Sequence, residues 1–139
     1  MAVAYTKVAY PKIEEKLFKV LNNEFPNIYI SSEWVEQQGD ESIRIHLASS
    51  DDVLTTNVFE RRSYSVELFH YYEDKNSILR TEYVRNRVDR LKAMLNDNQS
   101  ISGYWYDLQI PVIEYDEETD RENFSVTKIN VTMENHDSV

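Results

Sequence analysis

One segment, residues 58–95, constrains the fold of this chain more than any other part of its sequence. Polar and apolar side chains alternate over residues 58–72, which predicts a strand far longer than the usual length of about five or six residues. One face of that strand carries Tyr64, Val66 and Leu68. A helix follows Ser77, its expected N-cap, because apolar residues recur at helical spacing at Val84, Val88, Leu91 and Leu95. The segment therefore predicts a long strand and an amphipathic helix that packs against its sheet.

Further elements are predicted on the N-terminal side of this segment. Residues 11–24 form an amphipathic helix, because Ile13, Leu17 and Leu21 lie on one side of it. Residues 28–34 and 43–47 are predicted strands, and we expect them to pair as a hairpin. Residues 49–57 are then expected to form an exposed loop, since they are polar at both ends.

Two more strands are predicted towards the C-terminus. Residues 104–115 alternate in polarity, and Pro111 indicates an edge or a bulge because it lacks an N–H group. Residues 124–132 return as a strand whose apolar parity changes between Val126 and Ile129, which indicates a bulge.

The order of these elements predicts the architecture. It reads α-β-β-β-α-β-β, which is typical of an α+β domain with an antiparallel β-sheet and two helices packed against it. A chain of 139 residues is long enough for a single domain with a real core. Residues 1–139 are therefore predicted to form one domain, with either an arm or an extra turn within residues 1–10 and a polar tail at residues 133–139.

Composition excludes several classes of site. The chain has only two glycines, so it has no glycine-rich loop to bind a phosphate or a dinucleotide. It has no cysteine, which excludes disulfides and thiolate metal sites. Its net charge of −10 argues against a broad nucleic-acid-binding surface. We expect no signal peptide and no membrane contact, because no stretch has the necessary apolar length.

The densest group of carboxylates does not fit a known metal-binding pattern. It consists of Asp116, Glu117, Glu118, Asp120 and Glu122. An EF-hand loop that began at Asp116 would need glycine at its sixth position and glutamate at its twelfth, where this chain has Arg121 and Thr127. We interpret the group as a solvated hairpin tip.

No catalytic motif is evident either. None of His46, His70 and His136 has a second histidine two to four residues away, and no G-x-S-x-G nucleophile motif is present. We therefore expect no enzyme, no cofactor and no metal. Carboxylates that converge from distant positions remain the alternative that would allow an enzyme.

Charge is unevenly distributed along the chain. Residues 75–92 contain six basic and two acidic side chains, whereas residues 33–60 and 107–122 each contain seven acidic side chains and one basic side chain. Regions of opposite charge would let copies of the chain pair head to tail, and the alternative is a set of solvated faces.

Two further positions are candidate subunit contacts. Arg61 and Arg62 form a basic pair within the long strand, and the alternative is an intramolecular ion pair. Core packing is the commoner explanation for Tyr104 and Tyr106, which share one parity, whereas Trp105 on the opposite face is a candidate interface anchor.

Four features follow one another along the chain: a helix that ends at F-P, the strand R-R-S-Y-S-V-E-L, the helix Y-V-R-N-R-V-D-R-L, and the late strands Y-W-Y-D-L-Q-I-P-V-I-E-Y and F-S-V-T-K-I-N-V. Together they resemble the tail-terminator and head–tail joining (neck) proteins of tailed bacteriophages. The resemblance covers nearly the whole chain and lies in the pattern of elements. The scarcity of glycine and the acidic tip depart from the family pattern.

The resemblance implies a structural protein of the virion, assembled in the host cytoplasm. It implies a ring, commonly a hexamer, at the head-proximal end of the tail, where the ring contacts the tail-tube protein and the head-completion or connector protein. DNA would pass through an acidic lumen without specific binding.

In such a ring, two sets of residues have expected roles. The basic residues of the second helix are expected to contact an acidic surface of the next subunit, and they are Arg85, Arg87, Arg90 and Lys92. Acidic residues of two loops are expected to line the lumen or to contact a stacked ring, and they are Asp51, Asp52, Asp116, Glu117, Glu118 and Asp120.

The alternative function is a small acidic interaction protein, such as an inhibitor or an immunity protein. Such a protein would mask a basic partner and would bind it with a strong dependence on salt.

Overall fold

The structure of the protein is a computed structural model that describes residues 9–31, 40–55, 59–115 and 124–138. In chain order, the elements in these residues are α1 (Ala9–Glu24), β1 (Tyr29–Ser31), β2 (Glu41–Thr55), β3 (Phe59–Glu73), α2 (Ser77–Asp97), β4 (Tyr106–Glu114) and β5 (Phe124–Ser138). The predicted α+β class and the predicted element order are confirmed. Most of the expected N-terminal arm or turn lies outside the described residues, since α1 begins at Ala9.

The five strands form one sheet in the order β1-β2-β3-β5-β4. Every neighbouring pair is antiparallel except β1 and β2, which run parallel. The predicted hairpin between residues 28–34 and 43–47 is therefore wrong, because the strands of a hairpin are antiparallel. Tyr29 pairs with Ser42 and Ser31 pairs with Arg44, which makes the sheet mixed.

Three strands of equal length dominate the sheet. β2, β3 and β5 each have 15 residues, which corresponds to about 50 Å of extended chain. β3 is the central strand, and its pairing with β5 runs without interruption from Phe59 opposite Ser138 to Glu73 opposite Phe124. The predicted strand at residues 58–72 is thus confirmed as β3.

Two predictions of irregular structure are wrong. Residues 49–55 continue β2 rather than forming a loop, and residues 133–138 continue β5 rather than forming a polar tail. Both segments pair with the polar first part of β3, where Asp52 lies opposite Arg62 and Glu134 lies opposite Ser63. The polar sequence of these segments did not predict strands. Their backbones nevertheless pair with β3, because backbone hydrogen bonds do not require a continuous apolar face.

Alternation along β3 divides the sheet into two faces. Tyr64, Val66 and Leu68 are at most 3% exposed and pack against the helices, on what we call the helix face. The opposite face, which carries Glu67 and Phe69, is called the open face. The predicted core parity of the long strand is confirmed.

Both helices bury the sides that their sequences predict. Ile13, Leu17 and Leu21 of α1 belong to the core. The four apolar residues expected to bury α2 are also at most 3% exposed, and they are Val84, Val88, Leu91 and Leu95. No helix in the described part of the chain is long and apolar enough to cross a membrane.

The start of α2 differs from the prediction by one residue. Asn76, rather than Ser77, is the N-cap, and its Oδ1 accepts hydrogen bonds of 3.1 Å from the backbone N–H groups of Ile78 and Leu79. An asparagine N-cap satisfies helix-end donors that would otherwise have no partner.

β4 breaks the alternation expected for residues 104–115. Its pairing with β5 shifts twice, between Tyr106 and Gln109 and between Gln109 and Val112. Asp107 has a φ of 53°, in the left-handed region that few non-glycine residues adopt. As a result, Leu108 is buried whereas Val112 is 47% exposed, although the sequence had placed them on one face.

β5 contains no bulge against β3, so the bulge predicted between Val126 and Ile129 is wrong. The two residues instead face opposite sides of the sheet. Val126 lies opposite Tyr71 on the open face, where Tyr71 stacks with Phe124 at a ring-centroid distance of 5.8 Å. The apolar parity changes because β5 has apolar neighbours on both faces.

Candidate functional site

Glu41, the first residue of β2, holds together a cluster of side chains on the helix face. His70 Nε2 lies 2.6 Å from Glu41 Oε2, and Arg87 Nε donates to the same oxygen at 3.1 Å. The Tyr83 hydroxyl donates to Glu41 Oε1 at 2.6 Å. We call Glu41, His70, Tyr83 and Arg87 the Glu41 cluster.

Three elements position this cluster. β2 and β3 bring Glu41 and His70 to the same end of the sheet, where Glu41 lies opposite Tyr72. On α2, Tyr83 and Arg87 are four residues apart and so lie on one side of the helix. The ring of Tyr83 stacks on Tyr72 with centroids 4.1 Å apart, and Arg87 Nη2 also donates to the Tyr83 hydroxyl.

The cluster continues to the end of α1. The guanidinium groups of Arg87 and Arg90 lie 5.0 Å and 4.8 Å from the centre of the Phe25 ring, a geometry suited to cation–π attraction. Arg90 also donates to a carboxylate oxygen of Glu24 at 2.9 Å and to its backbone carbonyl at 3.2 Å. α2 is thus joined to both α1 and the sheet.

The ionisation of Glu41 reflects these contacts. Burial opposes its negative charge, but hydrogen bonds from His70 and Tyr83 and the positive charge of Arg87 outweigh that cost and lower the pKa of Glu41 below 4.5. Burial and the hydrogen bond to Glu41 raise the pKa of Tyr83 above its ordinary value. The cluster is therefore a carboxylate held by a phenol and a guanidinium at neutral pH.

A carboxylate, a histidine and a hydroxyl in sequence would suit proton transfer. Thr127 lies opposite His70 in the ladder, and both Thr127 Oγ1 and His70 Nδ1 are buried with no hydrogen-bond partner among the described residues. However, His70 is 1% exposed and Thr127 is fully buried, so a substrate cannot reach either side chain. The Glu41 cluster is arranged to hold the fold together.

A second carboxylate cluster crosses the open face. Glu67 on β3 pairs with a side chain from each neighbouring strand. His46 Nδ1 of β2 lies 3.0 Å from one carboxylate oxygen of Glu67, and Lys128 Nζ of β5 lies 3.1 Å from the other. Lys128 also reaches Glu114 on β4 at 3.3 Å, so the Glu67 cluster, His46–Glu67–Lys128–Glu114, spans four strands. Hydrogen bonds from His46 and Lys128 outweigh the effect of burial and lower the pKa of Glu67.

The structure separates the four basic residues of α2 that the sequence grouped as one contact. Arg87 and Arg90 are used within the chain, in the contacts described above. Arg85 and Lys92 are exposed, and neither has an ion-pair partner among the described residues. Only the latter two therefore remain available as cations for a partner.

The other predicted contact residues also fall in different places. Arg61 and Arg62 are half-buried neighbours in β3 whose side chains leave opposite faces of the sheet, so one flat contact cannot include both. Trp105 is fully buried, and its indole N–H donates to the Asn98 carbonyl at 2.8 Å. A side chain without exposed surface cannot anchor a partner, so Trp105 is a core residue in this fold.

The acidic residues expected to line a lumen lie in two settings. Asp51 and Asp52 are part of β2, opposite Ser63 and Arg62, and are not in a loop. The remaining four lie outside the described residues, and they are Asp116, Glu117, Glu118 and Asp120.

A shallow cleft of about 310 Å³ runs between α2 and the end of β4. Its lining residues are Thr81, Val84, Arg85, Asp89 and Tyr115. A second cleft of about 250 Å³ lies between the helices near Lys16 and Met94. Neither cleft reaches the Glu41 cluster, and within the described residues no group of His, Asp and Glu side chains is arranged to hold a metal ion.

Sequence reasoning missed the Glu41 cluster. Glu41 and His70 are 29 residues apart, and Glu41 and Arg87 are 46 residues apart, so no local spacing links them. The one available signal is the pair Tyr83 and Arg87, polar residues that lie next to the apolar side of α2.

No protein-family model matches this chain, and no curated protein matches it.

Proposed function

We propose that the protein is a structural subunit of a phage virion that forms a ring, expected to be a hexamer, at the head-proximal end of the tail. The ring would terminate the tail tube and join it to the head connector. The observation that carries this proposal is the element order α-β-β-β-α-β-β, which agrees with the pattern on which the family resemblance rests.

The two carboxylate clusters support a structural role over a catalytic one. The Glu41 cluster fastens α2 to α1 and the sheet, and its histidine is closed to solvent. The Glu67 cluster links strands that the backbone ladder already holds. Neither of these two clusters forms a site for a small molecule, which supports a function carried by the surfaces of the chain.

The net charge suits a ring through which DNA passes. About 6–10 phosphate contacts would bind DNA strongly at low salt. With a net charge of −10, the chain would instead repel the phosphate backbone and allow the DNA to slide. The virion role therefore requires no specific binding of DNA.

Electron microscopy of the purified protein tests the proposal directly. Negatively stained samples of the protein alone, and with the tail-tube protein, should show rings, and the tubes should carry one ring at one end. Tube protein alone is the control. The proposal fails if the chain stays monomeric at high concentration in both samples, as measured by light scattering after gel filtration.

The acidity of the chain also favours a second candidate, a small protein that inhibits a basic partner. Its binding should weaken steeply as salt rises, because charge attraction would dominate the contact. The neighbouring genes separate the two candidates, since capsid, connector and tail genes favour the ring and a toxin gene favours the inhibitor.

A further inference from the structure

The first turn of α2 exposes two large apolar side chains. Ile78 is 69% exposed and Leu79 is 55% exposed, although both occupy a well-formed helix. Asn76 caps their backbone N–H groups, so the turn that presents them is fixed. Together they form a small apolar patch on a fixed turn of a highly charged chain.

The exposed pair adjoins the cleft between α2 and β4. Ile78 and Arg85 are seven residues apart, about two helical turns, and therefore lie on the same side of α2. Arg85 lines the cleft, as does Tyr115, which is 46% exposed at the end of β4. We call Ile78, Leu79, Arg85 and Tyr115 the α2 outer surface.

Charge indicates what this surface contacts. Residues 75–92 hold six of the 15 basic side chains of the protein and only two of its 25 acidic ones, so the rest of the chain is strongly acidic. Arg85 and Lys92 are exposed α2 cations with no ion-pair partner among the described residues, whereas Arg80 is half-buried and donates to Ser125 and to the Asp74 carbonyl. A second copy of the chain therefore offers complementary charge where its acidic side chains are concentrated, in residues 33–60 and 107–122.

We propose that the α2 outer surface is a contact between copies of this chain, and that it receives an acidic surface of the next subunit around Ile78 and Leu79. The inference rests on the proposed ring. In a ring, this surface of one subunit meets a different surface of the next subunit, so the contact is head to tail.

The double variant Ile78→Glu with Leu79→Glu tests the contact. Both side chains are exposed, and acidic residues in the first turn favour a helix, so the monomer should stay folded. We expect the protein concentration below which the ring dissociates to be at least about tenfold higher than for the wild type. A tenfold change corresponds to a loss of about 1.4 kcal/mol per contact. Phe18→Glu is the matched control, since Phe18 is 37% exposed on α1, and it should leave the ring intact.

Each outcome is decisive. A wild-type protein that forms no ring overturns the proposed function, and this inference with it. A wild-type ring that survives in the double variant, or that Phe18→Glu disrupts equally, overturns this inference alone. A double variant that still forms rings but no longer binds tail tubes also overturns it, because the surface would then contact the tube.

Discussion

Glu41 and Glu67 lie on opposite faces of one sheet, and each is paired with a histidine and a basic side chain. Their surroundings differ. The side chain of His70, beside Glu41, is 1% exposed, whereas that of His46, beside Glu67, is 45% exposed. The Glu41 cluster joins a helix to the sheet, while the Glu67 cluster joins strands that backbone hydrogen bonds already connect.

Similar pairs of charges therefore contribute differently to the stability of the fold, depending on how buried they are and which elements they connect. Glu41 is 12% exposed and its partner His70 is 1% exposed, so little water is available to replace a lost partner and breaking the cluster is costly. Glu67 is itself only 18% exposed, but its partner His46 is 45% exposed, so water replaces a lost partner there at lower cost. Stability should therefore depend strongly on Glu41 and weakly on Glu67.

Glu41→Gln should have the largest effect. It removes the negative charge that Arg87 and His70 face in a nearly closed site, and we expect the free energy of unfolding to fall by about 3 kcal/mol. Urea unfolding followed by circular dichroism measures the change. A loss below about 1 kcal/mol would show that the cluster contributes little more than an exposed pair.

Acid should reveal the same difference. The folded protein holds the pKa values of Glu41 and Glu67 below their ordinary value of 4.5, so the unfolded chain takes up protons first as the pH falls. The stabilisation is complete above pH 4.5 and is lost as the pH falls through the folded pKa values. Stability measured from about pH 6 to pH 3 should decline less steeply in Glu41→Gln than in the wild type. An equal flattening in Glu67→Gln would remove the contrast between the clusters.

Thr127→Val tests whether the helix face contains an unsatisfied hydroxyl. Because Thr127 Oγ1 is buried with no hydrogen-bond partner among the described residues, its removal should raise the free energy of unfolding by about 1 kcal/mol. Thr132→Val, at a half-buried position on the open face, is the control and should change little. Destabilisation by Thr127→Val would mean that the hydroxyl has a partner in solution, and His70, opposite Thr127 in the ladder, is a candidate.

Glu67→Gln should have the smallest effect, about 0.5 kcal/mol, and the effect should shrink as salt is added. Thermal unfolding at low and high salt measures it. A loss as large as that of Glu41→Gln, unchanged by salt, would contradict the assignment of this cluster as a solvent-screened pair.

Local periodicity was sufficient to predict most of the elements. The alternation of Tyr64, Val66 and Leu68 and the helical spacing from Val84 to Leu95 each report which side of an element is buried, because apolar side chains are removed from water. The same reasoning failed where polar strands pair with one another. Residues 49–55 and 133–138 are mostly polar and show no alternation of apolar side chains, yet they extend the sheet.

The candidate surfaces were predictable only in part. The surplus of basic residues on α2 is visible in the sequence, but the division between Arg87, which binds Glu41, and Arg85, which stays exposed, depends on which flank of α2 faces the sheet. Trp105 was misplaced because it precedes β4 and lies in the turn that pairs it with Ile101, where strand alternation does not apply.

The sequence by itself determined that two amphipathic helices and a set of strands would form an α+β domain, and that no glycine-rich or cysteine-based site would be present, because these properties depend on composition and short-range spacing. Only the tertiary structure decided that β1 runs parallel to β2, that Val126 faces the open side, and that Glu41 meets His70 and Arg87. The physical reason is that these contacts join residues far apart in the chain. Their partners are fixed by the neighbours that each strand and helix acquires in the folded protein.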